Sequence, residues 1–203
     1  MVKKYEDPTW WGEFRMISRI RCFIAIDIDD PVLVENITRL QNDILSVQST
    51  GIKMVEPQNI HLTIRFLGEI PLSTVKNVEK ILNDISYSKF YMTLEGVGAF
   101  PSIYNPRVIW IGVSEGREKL KELHSMLEPR IRKLGILPDH KSFEPHVTIA
   151  RVKSRRRGEI VTMLKKVERL YIGRMIVDCI RLKRSTLTPR GPIYDTLFEK
   201  KFT

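Results

Sequence analysis

The stretch Asn59-Ile60-His61-Leu62-Thr63-Ile64-Arg65 shares its kernel with Pro145-His146-Val147-Thr148-Ile149-Ala150-Arg151: histidine, apolar residue, threonine, apolar residue. Both copies are β-branched and aliphatic, a composition that suits strands with one packed face. In a strand, residues i and i+2 share a face. His61 and Thr63 therefore project together, His146 and Thr148 do the same, and Leu62, Ile64, Val147 and Ile149 turn into a core. Any fold of this chain has to hold two strands that each present an imidazole and a hydroxyl on a face left clear for chemistry. Two buried histidines on half-buried strands are the plain alternative, and the matching neighbours in both copies weigh against it.

Around these strands the chain alternates. Arg21-Cys22-Phe23-Ile24-Ala25-Ile26-Asp27-Ile28 is a short apolar run of buried-strand type. Asp30 then offers an N-cap and Pro31 a first helical position, and Val34, Ile37, Leu40, Ile44 and Leu45 recur at helical spacing before Gly51. The His61 strand closes at Gly68. Pro71 opens a second helix with Val75, Val78, Ile81, Leu82 and Ile85 on its apolar face. Strands are expected over residues 90–97 and 107–113, joined by a turn-rich loop. In that loop Phe100 and Tyr104 either stack on a base or cover the sheet edge. A helix over 116–134, the His146 strand, a helix over 159–167 and strands over 171–183 and 193–198 follow, so that the second half repeats the order of the first. This is the order of an α/β or α+β unit.

Residues 1–20 stand apart as an N-terminal extension, with mixed charge, Trp10, Trp11 and Phe14 but no clear period, and residues 21–203 form a single domain. A formal charge of +10 favours an anionic partner such as nucleic acid over a neutral one. The densest basic run, Lys153-Ser154-Arg155-Arg156-Arg157, follows the second motif strand. It reads either as a solvated face or as a holder of phosphates. Cys22 and Cys179 lie in apolar runs, not in metal or redox spacing, and read as buried thiols of a reducing cytoplasm. No apolar run reaches membrane-spanning length, so no membrane partner is expected.

Two such strands across a cleft suit in-line cleavage of a phosphodiester. Two imidazoles supply an acid and a base near neutral pH. The Thr63 and Thr148 hydroxyls can hold non-bridging oxygens, and Arg65 or Arg151 can offset charge in the transition state. Arg65 has the strand parity of His61, whereas Arg151 is out of parity with His146 and reaches the site only where its strand ends or bulges. Two histidines fall short of the three protein ligands of a catalytic zinc site, and no further His or Cys spacing supplies a third.

Over residues 21–198 the chain resembles the 2H phosphoesterases, in particular the RNA 2′,3′-cyclic phosphodiesterase branch, also called 2′-5′ RNA ligases. Both His-x-Thr motifs carry the resemblance, with Arg21-x-Phe23-Ile24-Ala25, Phe66-Leu67-Gly68-Glu69, Pro106-Arg107-Val108-Ile109-Trp110 and Leu187-x-Pro189-x-Gly191-Pro192-x-Tyr194. It implies an α+β fold of two pseudo-symmetric lobes, each an antiparallel sheet with outer helices, and an active site in the cleft between them. It also implies hydrolysis of RNA 2′,3′-cyclic phosphate ends to 2′-phosphate, without metal or cofactor, and ligation of RNA ends through a 2′-5′ bond. By their positions in the motifs, the resemblance implies His61 as proton donor and His146 as acceptor. The implied partner is RNA ending in a cyclic phosphate, tRNA fragments included, acted on by a monomer. A related enzyme trimming RNA 3′ ends and a non-catalytic RNA-binding module are the alternatives.

Overall fold

In a computed structural model the described residues are 19–138, 142–153, 158–189 and 191–203. The elements run β1 (Arg19–Asp27), α1 (Pro31–Val47), β2 (Ile52–Met54), a 3-10 turn (Pro57–Asn59), β3 (His61–Pro71), α2 (Leu72–Asn83) and β4 (Phe90–Phe100). They continue with β5 (Val108–Val113), α3 (Arg117–Arg132), β6 (His146–Val152), α4 (Gly158–Lys166), β7 (Tyr171–Val177), β8 (Cys179–Thr188) and β9 (Gly191–Lys201). The first strand begins at Arg19, two residues inside the expected extension. The rest of that extension, His140, residues 154–157 of the basic run and Arg190 lie outside the described residues.

Local chemistry accounts for the first helix. Asp30 caps α1, its Oδ1 accepting the Leu33 N–H at 2.9 Å, and Pro31 occupies the first turn, where its missing N–H costs nothing. Leu33, Ile37, Leu40 and Ile44 form the buried stripe of α1. Burying each such side chain stabilises the fold by about 1.5–3 kcal/mol. Gln41 is the polar member of that stripe. Its Nε2 donates to the carbonyls of Val55 at 2.8 Å and Ile149 at 2.9 Å, which ties the helix to the second motif strand and leaves no buried amide hydrogen wasted.

The strands form one sheet in the order β7-β4-β5-β6-β3-β1-β8-β9, with β2 added alongside β6. All its pairings are antiparallel. The order is symmetric about the β6–β3 junction, with β4-β5-β6 on one side answering β8-β1-β3 on the other. That junction is narrow, consisting of Leu62 opposite Val147. Beyond it β6 pairs with β2 while β3 runs on beside β1, and the divergence separates two lobes. Helices α2 and α3 pack on one another and on β3, and α1 packs on α4, β6 and β7. Among the described residues no helix is long and apolar enough to cross a membrane.

The lobes are not successive halves of the chain. The lobe built on β1 and β3 is completed by the last two strands, β8 and β9, and α1 crosses to cover the other lobe. Correspondingly, the expected single strand over 171–183 is cut at Asp178. Its first part pairs with β4 at one end of the sheet and its second with β1 toward the other. The Asp178 carbonyl, at the break, accepts the N–H of Phe202 at 2.7 Å.

Candidate active site

The two motif strands share more than their sequence. The seven residues of β6 and the first seven of β3 alternate between half-buried, buried and exposed in an identical pattern. Both strands also bulge at the same place. In β3, Arg65 pairs with Ile24 and Thr63 with Ala25, which leaves Ile64 as the extra residue. In β6, Ala150 pairs with Ile109 and Thr148 with Trp110, so Ile149 is the extra one. A bulged residue reverses the facing of everything after it. His61 and Thr63 therefore share the open face with Phe66, and His146 and Thr148 share it with Arg151, while Arg65 and Ala150 turn toward the helices.

The arginines thus end up opposite to simple parity. Arg65 is 2% exposed. Its Nε pairs with Glu128 Oε2 of α3 at 2.6 Å, and its other nitrogens donate to the carbonyls of Phe66 and Leu137. It fastens α3 and the segment after it to the motif strand, and the structure does not bring it to the histidines. Arg151 is exposed on the open face, where its charge reaches the Tyr194 phenol.

Each histidine is oriented in the same way. His61 Nδ1 donates to the Asn59 carbonyl and His146 Nδ1 to the Glu144 carbonyl, each at 2.7 Å. A carbonyl only accepts, so the hydrogen is fixed on Nδ1 and Nε2 is left as the nitrogen that gains or loses a proton. Among the described residues neither the Thr63 nor the Thr148 hydroxyl has a protein partner. Two imidazoles and two unengaged hydroxyls therefore share one face of the sheet around its junction.

Aromatic rings hold the imidazoles from the sides. Phe23 lies 4.9 Å from the His61 ring and Tyr194 meets it edge-on at 5.2 Å. Phe100 meets His146 edge-on at 5.2 Å, and Trp110 stands 6.1 Å from it. Phe100, expected in a loop, ends β4 beside a histidine, while Tyr104 packs under Lys165 at 4.6 Å. Gly98 makes room for this wall, because a Cβ there would fall 2.3 Å from the Trp110 ring. Phe23 and Tyr194 occur in stretches quoted above. Their place beside His61 becomes visible once β1 is known to alternate Phe23, Ala25 and Asp27 onto the open face.

The His61 imidazole sits in a buried, charged setting. Burial pushes His61 below the ordinary histidine range; the Asn59 hydrogen bond and the Asp27 charge oppose this, and Lys183 adds to it. Asp27 stands opposite His61 in the ladder, and its Oδ2 accepts from Lys183 Nζ at 2.6 Å and pairs with Arg181 at 3.2 Å. Burial raises the Tyr194 phenol against the pull of Arg151 and Arg21. Among the described residues no three His, Cys, Asp or Glu side chains converge so as to hold a metal ion.

Comparison with known proteins follows the same two-part plan. A family model described as LigT like Phosphoesterase matches the chain twice, over residues 27–110 and 111–194, and each match contains one motif strand. The RNA 2′,3′-cyclic phosphodiesterase of Archaeoglobus fulgidus is 39% identical over 178 residues, covering 88% of this chain and 98% of that protein. The protein of that name from Aquifex aeolicus is 43% identical over 150 residues, 72% of this chain and 80% of its own. Among solved structures, the Thermus thermophilus protein TT0787 superposes with a TM-score of 0.73 at 27% identity, over 90% of this chain and 97% of that one. Escherichia coli LigT complexed with 3′-AMP shares the fold, with a TM-score of 0.72 at 24% identity over 91% and 98%. With one family match on each motif strand and the two together spanning most of its length, the chain belongs to the LigT-like phosphoesterases.

Proposed function

We propose that the chain hydrolyses the 2′,3′-cyclic phosphate at an RNA end to a 2′-phosphate, with His61 and His146 as its acid and base. The observation that carries this reading is the paired histidines, each with Nδ1 held by a backbone carbonyl and each beside an unengaged threonine hydroxyl on one face. Relatives with 39% and 43% identity bear the name RNA 2′,3′-cyclic phosphodiesterase, which supports the choice of substrate.

In this mechanism neutral His146 takes a proton from water at Nε2. The water oxygen bonds to phosphorus, the bond from phosphorus to the ribose 3′ oxygen breaks, and His61 gives that oxygen its Nε2 proton. Thr63 and Thr148 donate to the non-bridging oxygens, and Arg151 offsets their charge. The same geometry with an RNA 5′-hydroxyl in place of water joins two ends through a 2′-5′ bond. Burial disfavours the protonated form of His61, so its role as donor draws on the bound phosphate anion, whose charge favours that form. A reducing cytoplasm is the setting that fits the thiols, with Cys22 pushed up to about 11 and Cys179 to about 12 by burial.

The test is a product assay on a 2′,3′-cyclic nucleotide and on a cyclic-phosphate oligonucleotide, resolved by phosphate position and run after exhaustive chelation. A 2′-phosphate is expected. A 3′-phosphate, or activity lost on chelation and restored by zinc, overturns the mechanism. Shortening of an oligonucleotide that lacks a cyclic phosphate identifies 3′-end trimming instead.

A further inference from the structure

Tyr194 is held at the site by its own ring and by the residue two before it. The Pro192 carbonyl accepts Asn59 Nδ2 at 3.2 Å, just ahead of the first motif. The Tyr194 ring meets Phe23 at 5.0 Å as well as His61. Arg21 stands two residues before Phe23 on β1 and shares its face, Arg151 lies on the open face of β6, and the charges of both reach the phenol. Both arginines are exposed, and among the described residues neither has a hydrogen-bond or ion-pair partner. Their neighbours differ: Arg19 donates to the Glu69 carbonyl, Arg181 pairs with Glu199 and Arg184 with Asp195. Two unpartnered guanidiniums around a hydroxyl donor make a place for an anion.

We propose that Arg21, with the Tyr194 hydroxyl and Arg151, forms a second anion subsite that takes the phosphodiester adjoining the reacting phosphate, so that the preferred substrate is an RNA chain and not a mononucleotide. This rests on the reading of the cleft given above. The reacting phosphate is served by the histidines and threonines, Arg151 is shared between it and its neighbour, and the next anion along an RNA chain is that neighbouring phosphodiester. Burial keeps the Tyr194 phenol protonated and able to donate. On the other motif strand the place of Arg151 is taken by Phe66. The subsite therefore exists on one side of a pseudo-symmetric site and sets the direction in which the chain leaves it.

The test compares kcat/KM for 2′,3′-cyclic AMP with that for a dinucleotide ending in a 2′,3′-cyclic phosphate. The native protein favours the dinucleotide. Arg21→Ala lowers the ratio of dinucleotide to mononucleotide about tenfold, the loss of one charge-assisted hydrogen bond, and Arg21→Lys regains part of it. The log–log salt slope for binding of a long single-stranded RNA flattens by about 0.7 in Arg21→Ala. An unchanged ratio, or a loss shared equally by both substrates, overturns the subsite. Absence of turnover on both substrates in the native protein overturns the parent reading instead. The subsite is then read from binding of a labelled oligonucleotide with a 3′-hydroxyl end, which weakens in Arg21→Ala if the subsite holds and is unmoved if it does not.

Discussion

Leu62 stands opposite Val147 where β3 meets β6, and each is the residue between the histidine and the threonine of its motif. Both are fully buried against the helices. Residues opposite one another in a ladder point to the same face, and their neighbours point to the other. The repeat in the sequence is thus the symmetry of the sheet, and a phosphate bound over this junction meets two equivalent sets of groups. What differs between the sets is their surroundings: Phe23 and Tyr194 on one side, Phe100 and Trp110 on the other.

Removing either histidine is expected to cost about 10²–10⁴-fold in kcat/KM, the usual worth of one acid or base. The double variant loses less than the product of the two losses, because the groups act as a unit. The pH profile is a bell whose limbs belong to the pair. Thr63→Ala and Thr148→Ala lower the rate and leave the limbs where they are. A folded His61→Ala or His146→Ala protein with near-native turnover refutes the two-histidine mechanism.

Lys183→Met is expected to raise the His61 pKa. Lys183 pushes His61 down, and its loss also leaves the Asp27 charge, which pushes His61 up, less compensated. The folded His61 value lies below that of the unfolded chain, about 6.5. As pH falls through that value the unfolded chain takes up a proton the folded one refuses, so His61 costs stability on the acid side. Lys183→Met reduces that cost. NMR titration of the His61 imidazole reads the shift, and a downward or absent shift refutes this account.

Arg65→Met is expected to act on stability before activity. It leaves the carboxylate of Glu128 without its buried partner and two carbonyls without their donor. Breaking such a pair costs about 3–5 kcal/mol. Denaturant unfolding measures it. A large loss of kcat/KM at native stability would return Arg65 to the phosphate.

Gly98→Ala places a methyl group within 2.3–2.8 Å of three Trp110 ring atoms. Overpacking of this kind costs about 1–3 kcal/mol. The displaced indole should disturb His146 beside it, so the melting temperature and kcat fall together. Unchanged values of both show that the wall can give way.

The motif strands, their facing at the histidines and the helical stripes were all legible in the sequence, because period and β-branching report them directly. The positions of the two arginines were not. The extra residue in each bulge is an isoleucine, equally at home on either face, so the alternation gives no sign of the shift. Comparing Ile64-Arg65-Phe66 with Ile149-Ala150-Arg151 shows the two arginines out of step, and the bulges leave Arg151 on the open face and Arg65 in the interior. The break at Asp178 was hidden for another reason. Local periodicity tells that a run is a strand and is silent on which distant strand it joins.

The interleaving of the lobes has a consequence for a chain that emerges in order from a ribosome. Both motif strands are made long before β8 and β9, yet β8 is what closes the second edge of β1. A nascent chain halted before Cys179 therefore carries both motif histidines beside an apolar strand with one edge unsealed. Such an edge is a template for pairing with other chains. The sealing of β1 and the placing of Tyr194 beside His61 therefore come after both motif strands have been made.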